Sequence, residues 1–499
     1  MEGRNTGSAG HRKAAAYVAG EFERAGLKAA GTSGYLQPVR FHTRRVEEKG
    51  SSLELVRKGS VERITWGEDA FVSARVDPAP ALEAGLVFVG YGLSVPEMHY
   101  DDLAGLNLKG KVAVYLAGSP SNISGPLRAH HQSAVERGRA LEHAGVIGTI
   151  SIPDPHHMDI PWSRMALSRF QLSMSLVDAG PDDGDHGQRL SALWNPAHAD
   201  RLLAGSGHNL AELLALADAG KPLPRFPLAV SLRSRIEVQR SQVESPNVVG
   251  LLEGSDPVLK KEYVLLSAHL DHLGVGEPIR GDRIYNGAMD NAAGVATLLD
   301  IAAALHESKA RLRRSVLFVA VTGEEKGLLG SRYFATHPTV EPKSIVADLN
   351  VDMFLPLYPL KYVTVYGLDE SDLGDRIRTV AGKIGVEVQA DPEPQRNAFI
   401  RSDQYSFIRN GVPALTFKDG FLKGSPQEKI FRAWLTERYH APSDDVQQPV
   451  DRQAAADFNR MVRLLAVEIA NRPERPQWKQ NSFFRRFAEN GVAGGGAAR

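Results

Sequence analysis

A chain of 499 residues is longer than one hydrophobic core usually fills, about 250–300 residues, so two or three domains are expected. Lys plus Arg and Asp plus Glu number 59 each and no long block of one sign occurs, which argues against nucleic acid or an anionic membrane as the main partner. The complete lack of cysteine excludes disulfides, thiol catalysis and Cys-based zinc sites, and leaves the compartment open.

The opening MEGRNTGSAGHRKAAAYV has glycines and charges where a secretory leader has its apolar stretch, so no signal peptide is read there. No run approaches the roughly 18 apolar residues of a membrane helix. Ala15, Val18, Phe22 and Ala25 recur at helical spacing and Gly26 follows as a stop, which predicts an amphipathic helix from His11 to Ala25. From about Phe41 to Ala84, short alternating segments such as SSLELVRKG and VERITW suit hairpin strands. GLVFVGYGL and KGKVAVYLAG then read as buried strands, and SAVERGRALEHAGVIGTISIPDP as a helix, a glycine stop and a strand. His130-His131 and His156-His157 lie here in loop-like contexts and are expected to be solvated; His156, His157 and Trp162 would line a cleft only if this region folded over one. The Pro-containing AGKPLPRFPLAVSL closes the region. Residues 46–235 are therefore expected to form an insert with its own core, between the two parts of a main domain, 1–45 and 236–476.

After the insert the pattern becomes regular. KEYVLLSAHL reads as a strand, NAAGVATLLDIAAALHES as a helix, RRSVLFVAVTG as a strand and EKGLLGSRYFATH as a helix, with strands again at KSIVADLNVDMF and KYVTVYGL. Near-continuous apolar strands alternating with helices predict an α/β fold, with a mostly parallel mixed sheet sandwiched by helices. The last helix, DRQAAADFNRMVRLLAVEIANRP, carries Phe458, Met461, Leu465 and Ile469 on one stripe and is ended by Pro473. Residues 477–499 form a tail whose low-complexity end, GVAGGGAAR, is expected to be disordered.

Ligands of an open parallel sheet bind at the carboxyl ends of its strands, and that is where the unusual residues of this chain fall. VLLSAHLDHLG delivers His269 and Asp271, NGAMDNAAG delivers Asp290, VTGEEKG delivers Glu324 and Glu325, ADLNVDMF delivers Asp352, and RYHAPSDD supplies His440. Each has a plain structural explanation: a hydrogen-bonded histidine, an N-cap at Asp290, first-turn acids complementing a helix dipole at Glu324 and Glu325. Asp352 is hardest to explain so, because an acid between VADLNV and MFLPL is buried and needs a partner. A shared cause is more economical. Two divalent cations require a carboxylate that bridges them and further ligands on each, and histidine with carboxylate suits zinc, with cobalt or manganese as substitutes. The metal charge would also relieve the repulsion between the adjacent glutamates, with Glu325 on a metal and Glu324 free as the base.

At these residues the chain resembles the co-catalytic di-zinc aminopeptidases, the metallopeptidase family that also contains glutamate carboxypeptidase and the metal-less transferrin receptor. The resemblance runs through EGRNTGSAGHRKAAAYV, HLDH, MDNAAG, GEEKGLLGS, NVDM, RSDQYSFIRNGVPALTF and YHAPSDD. It implies a zinc exopeptidase fold and two Zn2+ per chain: His269 and Asp352 on one ion, Glu325 and His440 on the other, Asp290 bridging. Asp271 would orient the imidazole or the neighbouring acid, Glu324 would be the general base for a metal-bridged hydroxide, and Tyr439 is a candidate donor to the developing oxyanion. The implied reaction is release of N-terminal residues from peptides. A dipeptidase or carboxypeptidase on the same site, a one-zinc glutaminyl cyclase and a catalytically dead receptor-like binding protein are the competing readings. GLVFVGYGLSVPEMHYDDLAGLNLKGKVAVYLAG makes the insert similar to a protease-associated domain, which in this family restricts access to the active-site mouth. The chain departs from many relatives at Ser402-Asp403-Gln404, where they have Ser-Asp-His, so substrate contacts are in question there. It also starts inside what resembles the family's N-terminal motif, so a leader and a first helix are expected to precede it, and relatives are commonly periplasmic or secreted.

Overall fold

In a computed structural model of the protein, residues 1–178, 180, 184, 187–396 and 398–493 are described. The chain divides into two compact units, one made of Met1–Arg40, Glu244–Pro394 and Ala398–Arg499, the other mainly of Phe41–Val243.

The first unit is built on the apolar runs read from the sequence. Its elements, in chain order, are α1 (Ala9–Arg24), β1 (Val238–Leu252), β2 (Tyr263–His269), a hairpin of β3 (Gly274–Ile279) and β4 (Asp282–Tyr285), α2 (Ala293–Glu307), β5 (Ser315–Val321), α3 (Leu329–Thr336), β6 (Ile345–Asn350), β7 (Tyr362–Tyr366), α4 (Leu373–Lys383), β8 (Glu387–Gln389), α5 (Gln404–Ile408), β9 (Ala414–Asp419), α6 (Pro426–Glu437), α7 (Arg452–Asn471) and α8 (Arg485–Ala493). Within this unit the sheet order is β1-β5-β2-β6-β9-β7-β8. The four central strands are parallel, while β1 and β7 pair antiparallel with their neighbours β5 and β9. The sheet is therefore mixed, as expected.

Period-two alternation explains why every residue of β5 is buried. Val316, Phe318 and Ala320 enter a core formed with α1, α2 and α7, whereas Leu317, Val319 and Val321 enter a second core with Phe334 of α3 and Phe407 of α5. Helices thus cover both faces, which a parallel centre requires. Phe22 of α1 meets Phe318 with ring centroids 6.0 Å apart, and Phe458 of α7 stacks on Phe354 at 4.1 Å. The final-helix stripe of Phe458, Met461, Leu465 and Ile469 is buried throughout.

Some expectations shift. The segment Ala288–Glu307 is long and apolar enough to cross a membrane by length and composition, against the sequence reading. Val295, Leu298, Ile301 and Leu305 of α2 nevertheless lie in the core, so this is an interior helix. The helix expected from Glu325 begins only at Leu329, because Gly323, Gly327 and Leu328 all take positive φ and keep the glutamates on a loop. The tail is helical over Arg485–Ala493, which includes the first residues of the stretch expected to lack structure; the remainder of GVAGGGAAR lies outside the described residues.

The second unit carries an eight-stranded sheet in which Ala81–Val89, Val112–Leu116 and Gly148–Ile152 are the buried strands read from GLVFVGYGL, KGKVAVYLAG and VIGTISI. Ala134–His143 is the expected helix and Gly145, at φ 79°, its stop. Ser52–Arg57 and Ser60–Arg63 form the expected hairpin. His130 and His131 differ from expectation: they sit on a helix, Gly125–Gln132, with His130 buried and His131 at 3.0 Å from Glu97. His156 and His157 are exposed in a short turn beside Asp218 and Asp154, and Trp162 donates to the Gly67 carbonyl.

Candidate metal centre

Parallel pairing puts the carboxyl ends of β2, β5 and β6 at one edge of the sheet, and this alone gathers residues far apart in the chain. His269 is the last residue of β2. Glu324 and Glu325 follow β5 after a turn at Gly323, φ 70°, and Asp352 follows β6 by two residues. Asp290 occupies an irregular turn ahead of α2, with a cis peptide to Asn291. His440, itself at φ 54°, follows α6.

His269 Nε2 lies 3.2 Å from Asp290 Oδ1 and 3.3 Å from Asp352 Oδ1. His440 Nε2 lies 3.3 Å from Asp290 Oδ2 and 3.3 Å from Glu325 Oε2. These are longer than charge-assisted hydrogen bonds, which fall at about 2.7–2.9 Å. They match another arrangement: two atoms each about 2.0–2.1 Å from one tetrahedral ion lie roughly 3.3–3.4 Å apart. Asp290 presents one oxygen to each group, as a bridging carboxylate must. Asp290 Oδ2 and Glu325 Oε1 are buried with no hydrogen-bond partner, so the cage leaves acceptor capacity that a cation would satisfy. The donor set therefore fits two divalent ions of the zinc type.

Electrostatics agree with that fit. Burial disfavours charge on His269 and His440, but the acids around them win: Glu324, Asp290 and Asp352 hold His269 well above its usual range, and Glu325 and Asp290 push His440 up to about 10. Burial opposes ionisation of Glu325, yet His440 and His272 hold its carboxyl below the usual range. Glu324 goes the other way, raised by burial and by the Asp352, Glu325 and Asp403 charges. The two neighbouring glutamates therefore occupy opposite electrostatic situations.

Asp271 acts through two different groups. Its backbone carbonyl faces His269 Nδ1 at 3.1 Å, and its buried carboxylate accepts the Glu324 backbone N–H at 3.1 Å. Tyr439 lies against the His440 ring, centroids 4.0 Å apart, at the edge of an apolar cluster with Trp434. Gln404 is fully buried: its Oε1 accepts from Asn350 at 2.8 Å and its Nε2 donates to the Phe399 carbonyl at 2.7 Å. The departure from Ser-Asp-His is accommodated inside the protein.

Sequence reading missed three contributors. His272, buried, brings Nδ1 to 2.7 Å from Glu325 Oε1, close but misaligned for a hydrogen bond. Asn291 accepts from Gly294 N–H, which caps α2, and donates to the Val351 carbonyl beside Asp352; Asp290 is thereby no N-cap. Asp444 accepts the backbone N–H groups of Met289 and Asp290 at 2.9 and 3.0 Å. The signals were present in HLDH, MDN and PSDD, but nothing local distinguishes them from ordinary turn residues.

Residues 247–466 match the family profile described as peptidase family M28. The chain is 28% identical over 277 residues to a probable leucine aminopeptidase 2 of Aspergillus fumigatus, covering 52% of this chain and 51% of that protein. It is 22% identical over 237 residues to aminopeptidase YwaD of Bacillus subtilis, covering 47% and 46%. The chain thus spans about half the length of the curated relatives it matches. Among solved structures, an aminopeptidase from Aneurinibacillus sp. strain AM-1 superposes with a TM-score of 0.56 at 19% identity, over 94% of this chain and 91% of that one. A zinc aminopeptidase from Bacillus subtilis gives 0.51 at 18% identity, over 94% and 92%. At such identities these two likenesses establish the fold.

Proposed function

We propose, on the match of residues 247–466 to the profile of peptidase family M28, that the protein is a metallo-aminopeptidase that releases N-terminal residues from peptides. The observation that carries this reading is the pair of ligand groups joined through Asp290, with four nitrogen–oxygen separations of 3.2–3.3 Å. His269 and Asp352 would hold one Zn2+, Glu325 and His440 the other, and Asp290 both. Two such ions supply polarisation of a carbonyl and activation of water near neutral pH. Glu324 is the base: it stands outside both ligand groups, half-buried, and its raised proton affinity lets it take a proton and return it to the departing amine. Asp271 holds the Glu324 backbone in place. Tyr439, its ring tilted by 36° against that of His440, serves to seat that imidazole.

The competing inactive-receptor reading loses ground because every member of the cage is present together with the spare glutamate. From the likeness of its strands we further read the second unit as protease-associated, and from the common export of the relatives it resembles we read the protein as periplasmic or secreted, which cell fractionation tests. The main test is metal analysis beside hydrolysis of a panel of aminoacyl-nitroanilides, with and without chelator. Two zinc ions per chain, loss of hydrolysis on chelation, recovery with Zn2+, Co2+ or Mn2+, and no release from N-blocked substrates are expected. A chain that binds no metal, or that cleaves only blocked substrates, would refute the proposal.

A further inference from the structure

We propose that Arg4 is a positioning residue of the metal centre, fastening the loop that carries Asp290 to the end of β2 that carries His269. This rests on the metallopeptidase reading above. Arg4 is buried, at 7% exposure, and a buried guanidinium needs every donor satisfied. Its donors reach backbone carbonyls rather than a carboxylate. Nε donates to Leu270 O at 2.6 Å, between His269 and Asp271; Nη1 donates to Asn286 O, and Nη2 to Gly287 O at 2.7 Å with a longer contact to Asp290 O at 3.4 Å. One rigid fork thereby spans two ligand-bearing segments separated from it by 266 and more residues of chain.

The neighbours of Arg4 continue the same contact. The Arg4 carbonyl accepts from His272 N–H, Asn5 Nδ2 donates to Leu273 O at 3.0 Å, and Thr6 Oγ1 donates to Asp271 Oδ2 at 2.8 Å. Thr6 is thereby linked through the Asp271 carboxylate to the backbone of Glu324. Gly3, at φ 65°, admits the segment: a Cβ there would stand 2.4 Å from Tyr285 O and 2.5 Å from Gly274 O, the paired ends of the β3–β4 hairpin. On the loop itself the division of labour is complete. Arg4 takes its carbonyls while Asp444 takes the N–H groups of Met289 and Asp290. Asp290, Asp271, Asp444 and Glu325 also act on the Arg4 charge through space, so the cation offsets part of the repulsion among the cage acids. A lysine, with one point of donation, cannot span Leu270, Asn286 and Gly287 together.

The test uses the full chain and its Arg4→Gln, Arg4→Lys and Thr6→Val variants. Co2+ dissociation constants are measured by chelator competition, with the visible Co2+ spectrum as a signature of ligand geometry, alongside apo-protein melting and steady-state hydrolysis. Arg4→Gln is expected to weaken Co2+ binding by roughly 10–100-fold and to alter the spectrum, with Arg4→Lys recovering part of the loss. Thr6→Val, which deletes one hydrogen bond, is expected to lower turnover severalfold with KM unchanged. If Arg4→Gln lowers the apo melting temperature while Co2+ affinity and spectrum stay as in the parent chain, Arg4 is merely structural and the inference is overturned. Should neither Arg4 variant fold, parental turnover in Thr6→Val overturns it. Failure of the parent chain to bind Co2+ at all would instead remove the metallopeptidase reading, and this inference with it.

Discussion

Glu324 and Glu325 are covalent neighbours of the same residue type, and the geometry assigns them opposite fates on conversion to glutamine. Glu325 Oε2 is 3.3 Å from His440 Nε2 and belongs to a ligand group, whereas Glu324 belongs to neither. Glu324→Gln keeps the side chain's size and its Asp271-anchored backbone, and removes only the capacity to take a proton. General-base loss typically costs about 10²–10⁴ in rate, or roughly 3–5 kcal/mol of barrier at about 1.4 kcal/mol per tenfold. We therefore expect kcat on an aminoacyl-nitroanilide to fall by that factor, KM to move little, and metal content to stay at the parental level. Glu325→Gln should instead lose metal, since an amide oxygen is a poorer ligand than a carboxylate and Asp290 would be the carboxylate left beside His440 on that ion. Metal content by elemental analysis and kcat by steady-state kinetics separate the two. Near-parental hydrolysis in Glu324→Gln, or metal loss there matching that in Glu325→Gln, would refute the division of roles.

Metal uptake should release protons: His440, pushed up to about 10 by Glu325 and Asp290, is protonated in the metal-free chain at neutral pH, and only its neutral imidazole can ligate. Apparent affinity should therefore rise with pH through the neutral range, and calorimetry in buffers of different ionisation enthalpy should detect at least one proton released per chain at pH 7. Gln404→His would restore the Ser-Asp-His pattern, yet Gln404 is buried between Asn350 and Phe399 O, so we expect about 1 kcal/mol of lost stability in denaturant titration and little change in KM. Phe458→Ala removes a ring stacked on Phe354 and buried among α1, α2 and the sheet, and should cost about 3–5 kcal/mol in the same titration with metal affinity unaltered.

The legible part of this protein was the part whose physics is local. β2, β5 and β6 announce themselves because strands buried on both faces read as unbroken apolar runs, and polar residues just beyond such runs stand out against them. His269, Glu325 and Asp352 stand out on that contrast, Asp290 at the mouth of a helix and His440 in a loop are joined to them by the resemblance, and the structure brings all five together. The start of α3 was placed too early because Leu328 adopts positive φ, which no propensity for leucine foretells. Arg4, Asn291 and Asp444 were unreadable for a different reason. Each works by bonding the backbone of a segment remote in sequence, and a backbone carbonyl or amide leaves no mark on the identity of its own residue. His272, next to Asp271 and three residues past His269, lies beyond the end of β2, where nothing local distinguishes it from an ordinary turn histidine.

The loop around Asp290 is gripped from one side by residue 4 and from the other by residue 444. The first of these precedes the ligand-bearing strands along the chain and the second follows them. A chain that folds as it is made therefore cannot hold this loop from both sides until residue 444 has emerged, however early its strands begin to pair.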